Sequence, residues 1–206
     1  MSNQPPTALH AIVTALTEPH DAEVFRLWKE LKQTCGLQSI WTLPVPHFSW
    51  MGMLGYDDAA VAQELAAIAA QAHPFTARVS SLGIFTGEDP VIYLALVKDE
   101  ALLRFHEMVW SRLEAHLVQP NLYYAPPVWV PHITLAIGDV TRGNLACAIE
   151  QLAFRPWYWE FPVDRIGLIS HPPTGKELNF AVIPAEKLRF ILMEETPVHL
   201  IITTDI

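Results

Sequence analysis

A tetrad of the form Pro-His-apolar-hydroxyl occurs twice in this chain, and the pair constrains the fold more than any other feature. The first copy is Pro46-His47-Phe48-Ser49, followed by Trp50; the second, 85 positions on, is Pro131-His132-Ile133-Thr134, followed by Leu135. With 17 Pro and 9 His in 206 residues, a random chain of this composition would carry about 0.07 copies of the pattern. Successive side chains of an extended strand point to opposite faces. His47 and Ser49 therefore share one face, as do His132 and Thr134. Phe48, Trp50, Ile133 and Leu135 turn to the other face, where burial would fix each histidine in place.

The flanking pattern repeats with the tetrads. In the first half a strand over residues 8–16 precedes a helix capped by Asp21, in which Val24, Leu27, Trp28 and Leu31 recur at helical spacing and Gly36 marks the stop. A strand over 41–54 carries the first tetrad. Asp57 or Asp58 then starts an Ala-rich helix lined by Val61, Leu65, Ile68 and Ala72, and an extended segment follows over 75–85. The second half runs in the same order: strand 91–97, helix 100–117, strand 128–137 with the second tetrad, a helix capped by Thr141, and strand 161–170. Ile166-Gly167-Leu168 echoes Leu82-Gly83-Ile84 at an offset of 84. These offsets imply an internal duplication rather than a repeat array, whose period is about 20–50 residues. The expected architecture is α+β and bilobal: two antiparallel-rich sheets, helices outside, a central cleft, and the tetrads facing across it. The whole chain reads as one two-lobed domain, with a first unit at about 8–86, a second at about 91–184 and a tail over 185–206.

Composition narrows the possible partners. The chain is 51% hydrophobic and 17% charged with a formal net charge of -9, which fits a compact globular protein. Scattered basic residues lack the stripe that grips duplex DNA or long nucleic acid. A small phosphorylated substrate or a single RNA end fits better. No apolar run reaches the 18 or so residues of a membrane span, and residues 1–7 lack the basic and apolar regions of a signal peptide. The expectation is a cytoplasmic protein without a membrane partner. Cys35 and Cys147 form no close-spaced ligand pattern and read as buried free thiols. His106-Glu107 begins like a zinc motif, but Trp110 stands where the second histidine is needed. Neither a phosphate-binding loop nor a dinucleotide fingerprint occurs, so the expectation is no cofactor and no metal.

Two imidazoles beside two hydroxyls suit phosphodiester chemistry without a metal. Near neutral pH one histidine can accept a proton while the other donates one. The hydroxyls of Ser49 and Thr134 can donate to the nonbridging phosphate oxygens. Trp50, Trp41, Tyr124 and Trp129 are candidates to stack a base, and a loop carrying His171 and Lys176 is a candidate border of the cleft.

Through these two His-x-[Ser/Thr] motifs, one in each half of a chain near 200 residues, the sequence resembles the two-histidine phosphoesterases. It looks most like the 2'-5' RNA ligase-like branch with the RNA 2',3'-cyclic phosphodiesterases. The resemblance implies hydrolysis of cyclic or 2'-5' phosphodiesters in RNA processing, with weak ligation in reverse. His47 and His132 take its catalytic positions, and Ser49 and Thr134 its phosphate-contacting ones. Many relatives carry Arg in a His-x-Thr-x-x-Arg run; the corresponding position here is Ile137, which removes one cationic contact to substrate. A non-catalytic nucleotide-binding module and a phosphodiesterase for another cyclic phosphate, such as that of ADP-ribose, are the alternative readings.

Overall fold

In a computed structural model, which describes residues 9–43, 45–171 and 177–182, nine strands and four α-helices alternate along the chain. Their order is β1 (Leu9–Ala15), α1 (His20–Cys35), β2 (His47–Tyr56), α2 (Asp58–Gln71), β3 (Phe75–Phe85), β4 (Val91–Leu96), α3 (Glu100–Leu113), β5 (Leu117–Pro120), β6 (His132–Ala136), α4 (Leu145–Ala153), β7 (Glu160–Val163), β8 (Arg165–His171) and β9 (Glu177–Val182).

Every strand pairing is antiparallel. Instead of two separate sheets, the strands follow one path, β7-β3-β4-β6-β2-β1-β8-β9, with β5 off the path against β2. The motif strands β2 and β6 adjoin at its centre through one register pair, Phe48 opposite Ile133. On one side of them stand β4 and β3; on the other, β1 and β8. β3 of the first unit thus pairs with β4 and β7 of the second, and β8 of the second pairs with β1 of the first, so the unit boundary near residue 90 does not separate the sheet halves.

The helices complete a shared core. Val24, Leu27, Trp28 and Leu31 form the buried stripe of α1, and Val61, Leu65, Ile68 and Ala69 that of α2. α1 packs with α4 and reaches β6, while α2 packs with α3, which reaches β2. Gly36 ends α1 in a left-handed conformation at φ 73°, which an L side chain resists. Asp57 caps α2 by accepting the Ala60 amide at 3.1 Å.

Several boundaries differ from expectation. α1 begins one residue before Asp21, behind Pro19 with no side-chain cap, so Asp21 lies in its first turn and suits the helix dipole rather than capping it. Residues expected to open the second strand form a 3-10 turn, Ser39–Thr42, held where the Asp139 carboxylate accepts the Gln38 and Ser39 amides at 2.7 Å. α3 stops at Leu113 because the chain turns to add β5 to β2. α4 starts behind Asn144, not Thr141; the Thr141 amide donates to the Asn144 side chain at 2.7 Å.

Cys35 and Cys147 are not free thiols. They form a disulfide between the end of α1 and α4, with Cα atoms 5.7 Å apart and a separation of 112 positions in sequence. Sequence spacing concealed the pair because the packing of α1 on α4 creates the proximity. Such a closure contributes about 2–4 kcal/mol. Among the described residues no helix is long and apolar enough to cross a membrane. The tail from 185 onward lies outside the described residues.

Candidate active site

The register pair at the centre of the sheet determines who faces whom. With Phe48 opposite Ile133, antiparallel counting sets His47 across from Thr134 and Ser49 across from His132. Phe48 and Ile133 are fully buried, so the alternating positions present all four polar side chains to the other face. His47, Ser49, His132 and Thr134 line one cavity of about 660 Å³, within the size range of small-molecule sites.

Each tetrad is held by the same set of bonds. The carbonyl of Pro46 accepts the Leu16 amide at 2.9 Å, and that of Pro131 accepts the Leu96 amide at 3.0 Å. His47 Nδ1 lies 2.7 Å from the Val45 carbonyl and His132 Nδ1 lies 2.7 Å from the Val130 carbonyl. A carbonyl oxygen only accepts, so each Nδ1 carries the hydrogen, and in the neutral ring Nε2 is the acceptor nitrogen. The Ser49 carbonyl accepts from Trp129 Nε1 at 3.1 Å, and the Thr134 carbonyl accepts from Trp28 Nε1 at 3.1 Å.

Register also breaks at matching places. Pairing of β1 with β2 passes from Val13 opposite Ser49 to Ile12 opposite Met51, leaving Trp50 without an opposite residue. Pairing of β4 with β6 passes from Tyr93 opposite Thr134 to Ile92 opposite Ala136, leaving Leu135 over. Bulges of this kind sharpen the local twist and re-aim side chains beside active sites.

The two histidines differ in surroundings. His132 is boxed by Phe85, edge-on at 4.8 Å, and Tyr93 at 5.1 Å. Burial pushes its pKa below the usual value, with the bond to Val130 acting the other way. Burial likewise raises the Tyr93 phenol. On the His47 side, the hydroxyl of Tyr124 is hydrogen-bonded to Ser49; burial raises this phenol, and the Ser49 bond opposes that shift. Its ring fits because residue 52 is glycine: a Cβ there would stand 3.1 Å from Tyr124 Cε2.

The proposed stacking residues are placed unequally. Trp50 is fully buried, with its indole nitrogen bonded to Thr14 at 2.9 Å and its ring among Phe48, Phe105 and Trp129, so it has no face for a base. Trp129 borders the cavity, but its ring stacks on His106 at 3.7 Å. Trp41 stacks on Phe25 and meets Trp28 and is not among the cavity residues. Tyr124 does line the cavity, beside Tyr123, which is 82% exposed at its rim. His171 is placed only as the last residue of β8, opposite Leu9; Lys176 lies outside the described residues. Phe85, Ile169 and the carbonyls of Val45 and Val130 were not anticipated, because nothing local in the sequence marks them.

Two histidines and two hydroxyls from the two motif strands thus line one cavity. The chain belongs to the 2'-5' RNA ligase superfamily, whose family model matches residues 16–174. Proteins named as candidate phosphoesterases in Bacillus cereus (strain B4264) and Bacillus thuringiensis (strain Al Hakam) are each 29% identical over 115 residues. The match covers 56% of this chain and 62% of each relative, so the chain spans less than two thirds of the length of these curated relatives. Among solved structures, TT0787 of Thermus thermophilus aligns with a TM-score of 0.56 at 18% identity, covering 84% of this chain and 94% of that one. E. coli LigT complexed with 3'-AMP aligns with a TM-score of 0.50 at 16% identity, covering 85% and 96%. At such identities the likeness is one of fold.

Proposed function

We propose that this protein is a metal-independent phosphodiesterase that opens 2',3'-cyclic phosphodiesters of nucleotides or RNA ends. The observation that carries the reading is the pair of histidines with both Nδ1 atoms tied to backbone carbonyls, lining one cavity with two hydroxyls. Nε2 of one histidine takes a proton from water as it attacks phosphorus. Nε2 of the other gives a proton to the departing ribose oxygen, so one P–O bond forms and one breaks with no net change in protons on the pair. Ser49 and Thr134 donate to the nonbridging oxygens as charge builds there. His132, kept toward its neutral form by burial, suits the base; His47 then serves as the acid. With a 5'-hydroxyl in place of water as the attacking group, the same ring opening forms a bond from the 5'-oxygen to phosphorus, breaks that to O3' and passes protons through the same two histidines, giving weak 2'-5' ligation.

The cavity also supports a small substrate. Among the described residues its lining holds neither Lys nor Arg and is largely apolar, with Ile84, Phe85, Val91, Val128, Ile137 and Ile169. The test is hydrolysis of the four nucleoside 2',3'-cyclic phosphates in EDTA, followed by phosphorus NMR. Turnover in chelator, lost in His47→Ala and His132→Ala, supports the reading; absence of turnover by folded protein refutes it.

A further inference from the structure

Both phosphate-facing hydroxyls sit on residues where the sheet ladder slips. Ser49 precedes the unpaired Trp50, and Thr134 precedes the unpaired Leu135. A bulge loosens the local ladder, so strand pairing alone leaves the aim of these side chains underdetermined. At each place a buried indole bonds the carbonyl of the hydroxyl residue itself: Trp129 to Ser49 and Trp28 to Thr134, both at 3.1 Å. The two indoles come from unrelated parts of the chain, the segment before β6 and the middle of α1. Each serves the motif of the other half.

Both rings are rigidly backed. Trp129 is 1% exposed and stacks on His106 at 3.7 Å with an interplanar angle of 19°; His106 Nε2 in turn donates to the Trp50 carbonyl at 3.1 Å. Two consecutive carbonyls around the bulge, of Ser49 and Trp50, are thus held by side chains. Trp28 is also 1% exposed and is wedged edge-on against Phe25 at 5.3 Å and Trp41 at 5.9 Å. A buried indole needs one acceptor for its N–H, and a core needs only that some acceptor be present. Here both acceptors are the carbonyls of the hydroxyl residues.

We propose that Trp129 and Trp28 are positioning residues of the active site, setting through these backbone bonds the aim of the Ser49 and Thr134 hydroxyls at the phosphate. This rests on the phosphodiesterase reading above. Misplacement of a reacting contact by an ångström costs up to about 100-fold in rate. Removal of either indole donor is therefore expected to lower kcat roughly 10- to 100-fold, with KM nearly unchanged.

The experiment is a double-mutant cycle on 2',3'-cyclic nucleotide hydrolysis, using Trp129→Phe, Trp28→Phe, Ser49→Ala and Thr134→Val. Phenylalanine keeps an aromatic ring and removes the donor. Where it fails to fold, benzothienylalanine, which replaces the N–H with sulfur at nearly constant shape, takes its place. In the Ser49→Ala background Trp129→Phe is expected to have no further effect on kcat, while Trp28→Phe keeps its full effect; in Thr134→Val the pattern reverses. Equal losses in all backgrounds would mean general structural damage and overturn the proposal. If wild type turns over no cyclic nucleotide, the phosphodiesterase reading fails separately, and the cycle is read on binding of inorganic phosphate by calorimetry. Coupling confined to the Trp129–Ser49 and Trp28–Thr134 pairs upholds the positioning role there, and its absence overturns it.

Discussion

Phe48 stands opposite Ile133 as the one register pair joining β2 to β6, and both side chains are fully buried. The apolar residue inside each tetrad thus does more than anchor its own strand. It sets the stagger between the two motifs, so that each histidine faces the hydroxyl of the other half.

That stagger makes the four polar residues a unit. His47→Ala and His132→Ala are each expected to reduce kcat/KM on a 2',3'-cyclic nucleotide by about 10²–10⁴-fold, the range for loss of a positioned acid or base. Ser49→Ala and Thr134→Val are each expected to cost about 10²-fold as lost donors to developing charge. All four leave the buried Phe48–Ile133 pair untouched, so thermal melts should change little. Steady-state kinetics in EDTA beside those melts tests this; a variant with near-wild-type rate would remove its residue from the site.

The environment of His132 has a kinetic signature. Burial favours the neutral ring and lowers its pKa; of its ring neighbours, Phe85 is uncharged and Tyr93, with its phenol pushed up, stays protonated. With His132 as base, the acid limb of kcat/KM is expected to have its midpoint below about 6.5, the value of an unperturbed histidine. Phe85→Ala, which admits water to the ring, should move the midpoint upward. A midpoint at or above that of free histidine would assign the base elsewhere.

How far these features could be read from sequence depends on their range. The strand alternation that groups His47 with Ser49 and His132 with Thr134 is local, and so is the buried stripe of α1. The Nδ1 anchors are also local, two residues upstream, yet any residue type supplies a carbonyl and Val45 and Val130 carry no mark. The Cys35–Cys147 bridge, the Trp28 bond to Thr134 and the Phe85 box around His132 arise from tertiary packing across 112, 106 and 47 positions. Trp50 shows the same limit in reverse. Its place beside the motif suggested a stacking surface, whereas the alternation that aims His47 outward turns Trp50 into the core.

His106 predicts acid sensitivity of the fold itself. It is wholly buried, and burial lowers its pKa from 6.5 to about 4, with the bond to the Trp50 carbonyl opposing the shift. Between those values the unfolded chain binds the proton that the folded protein refuses, so stability rises with pH through that window. The contribution is complete above the unfolded value and is lost as pH falls through the folded one, amounting to about 3 kcal/mol in the limit. His106→Gln, which keeps a donor but does not titrate, should lose less unfolding free energy than wild type between pH 7 and pH 4.5 in urea titrations. Parallel losses would show that His106 protonates freely in the folded state.

The lining of the cavity bears on the substrate proposed for it. Among the described residues, its titratable side chains are His10, His47, His132 and the tyrosines, with no Lys or Arg, and Ile137 stands at its edge, 39% exposed. Burial lowers His10, with Asp58 opposing, and burial also lowers His132, so little positive charge is available beyond that used on the reacting group. A phosphodiester brings one negative charge; a second phosphate nearby would bring about two more and enter an apolar wall uncompensated. A nucleoside 2',3'-cyclic phosphate with a free 5'-hydroxyl is therefore expected to show kcat/KM at least about tenfold above the same nucleotide bearing a 5'-phosphate, a difference of roughly 1.4 kcal/mol. Ile137→Arg should narrow that gap by supplying a cation at the cavity edge. Competition kinetics with the two substrates, in wild type and variant, measures both effects. Equal use of the two by wild type would show that the second charge finds a counterion, and a gap left unchanged by Ile137→Arg would place the second phosphate away from this wall.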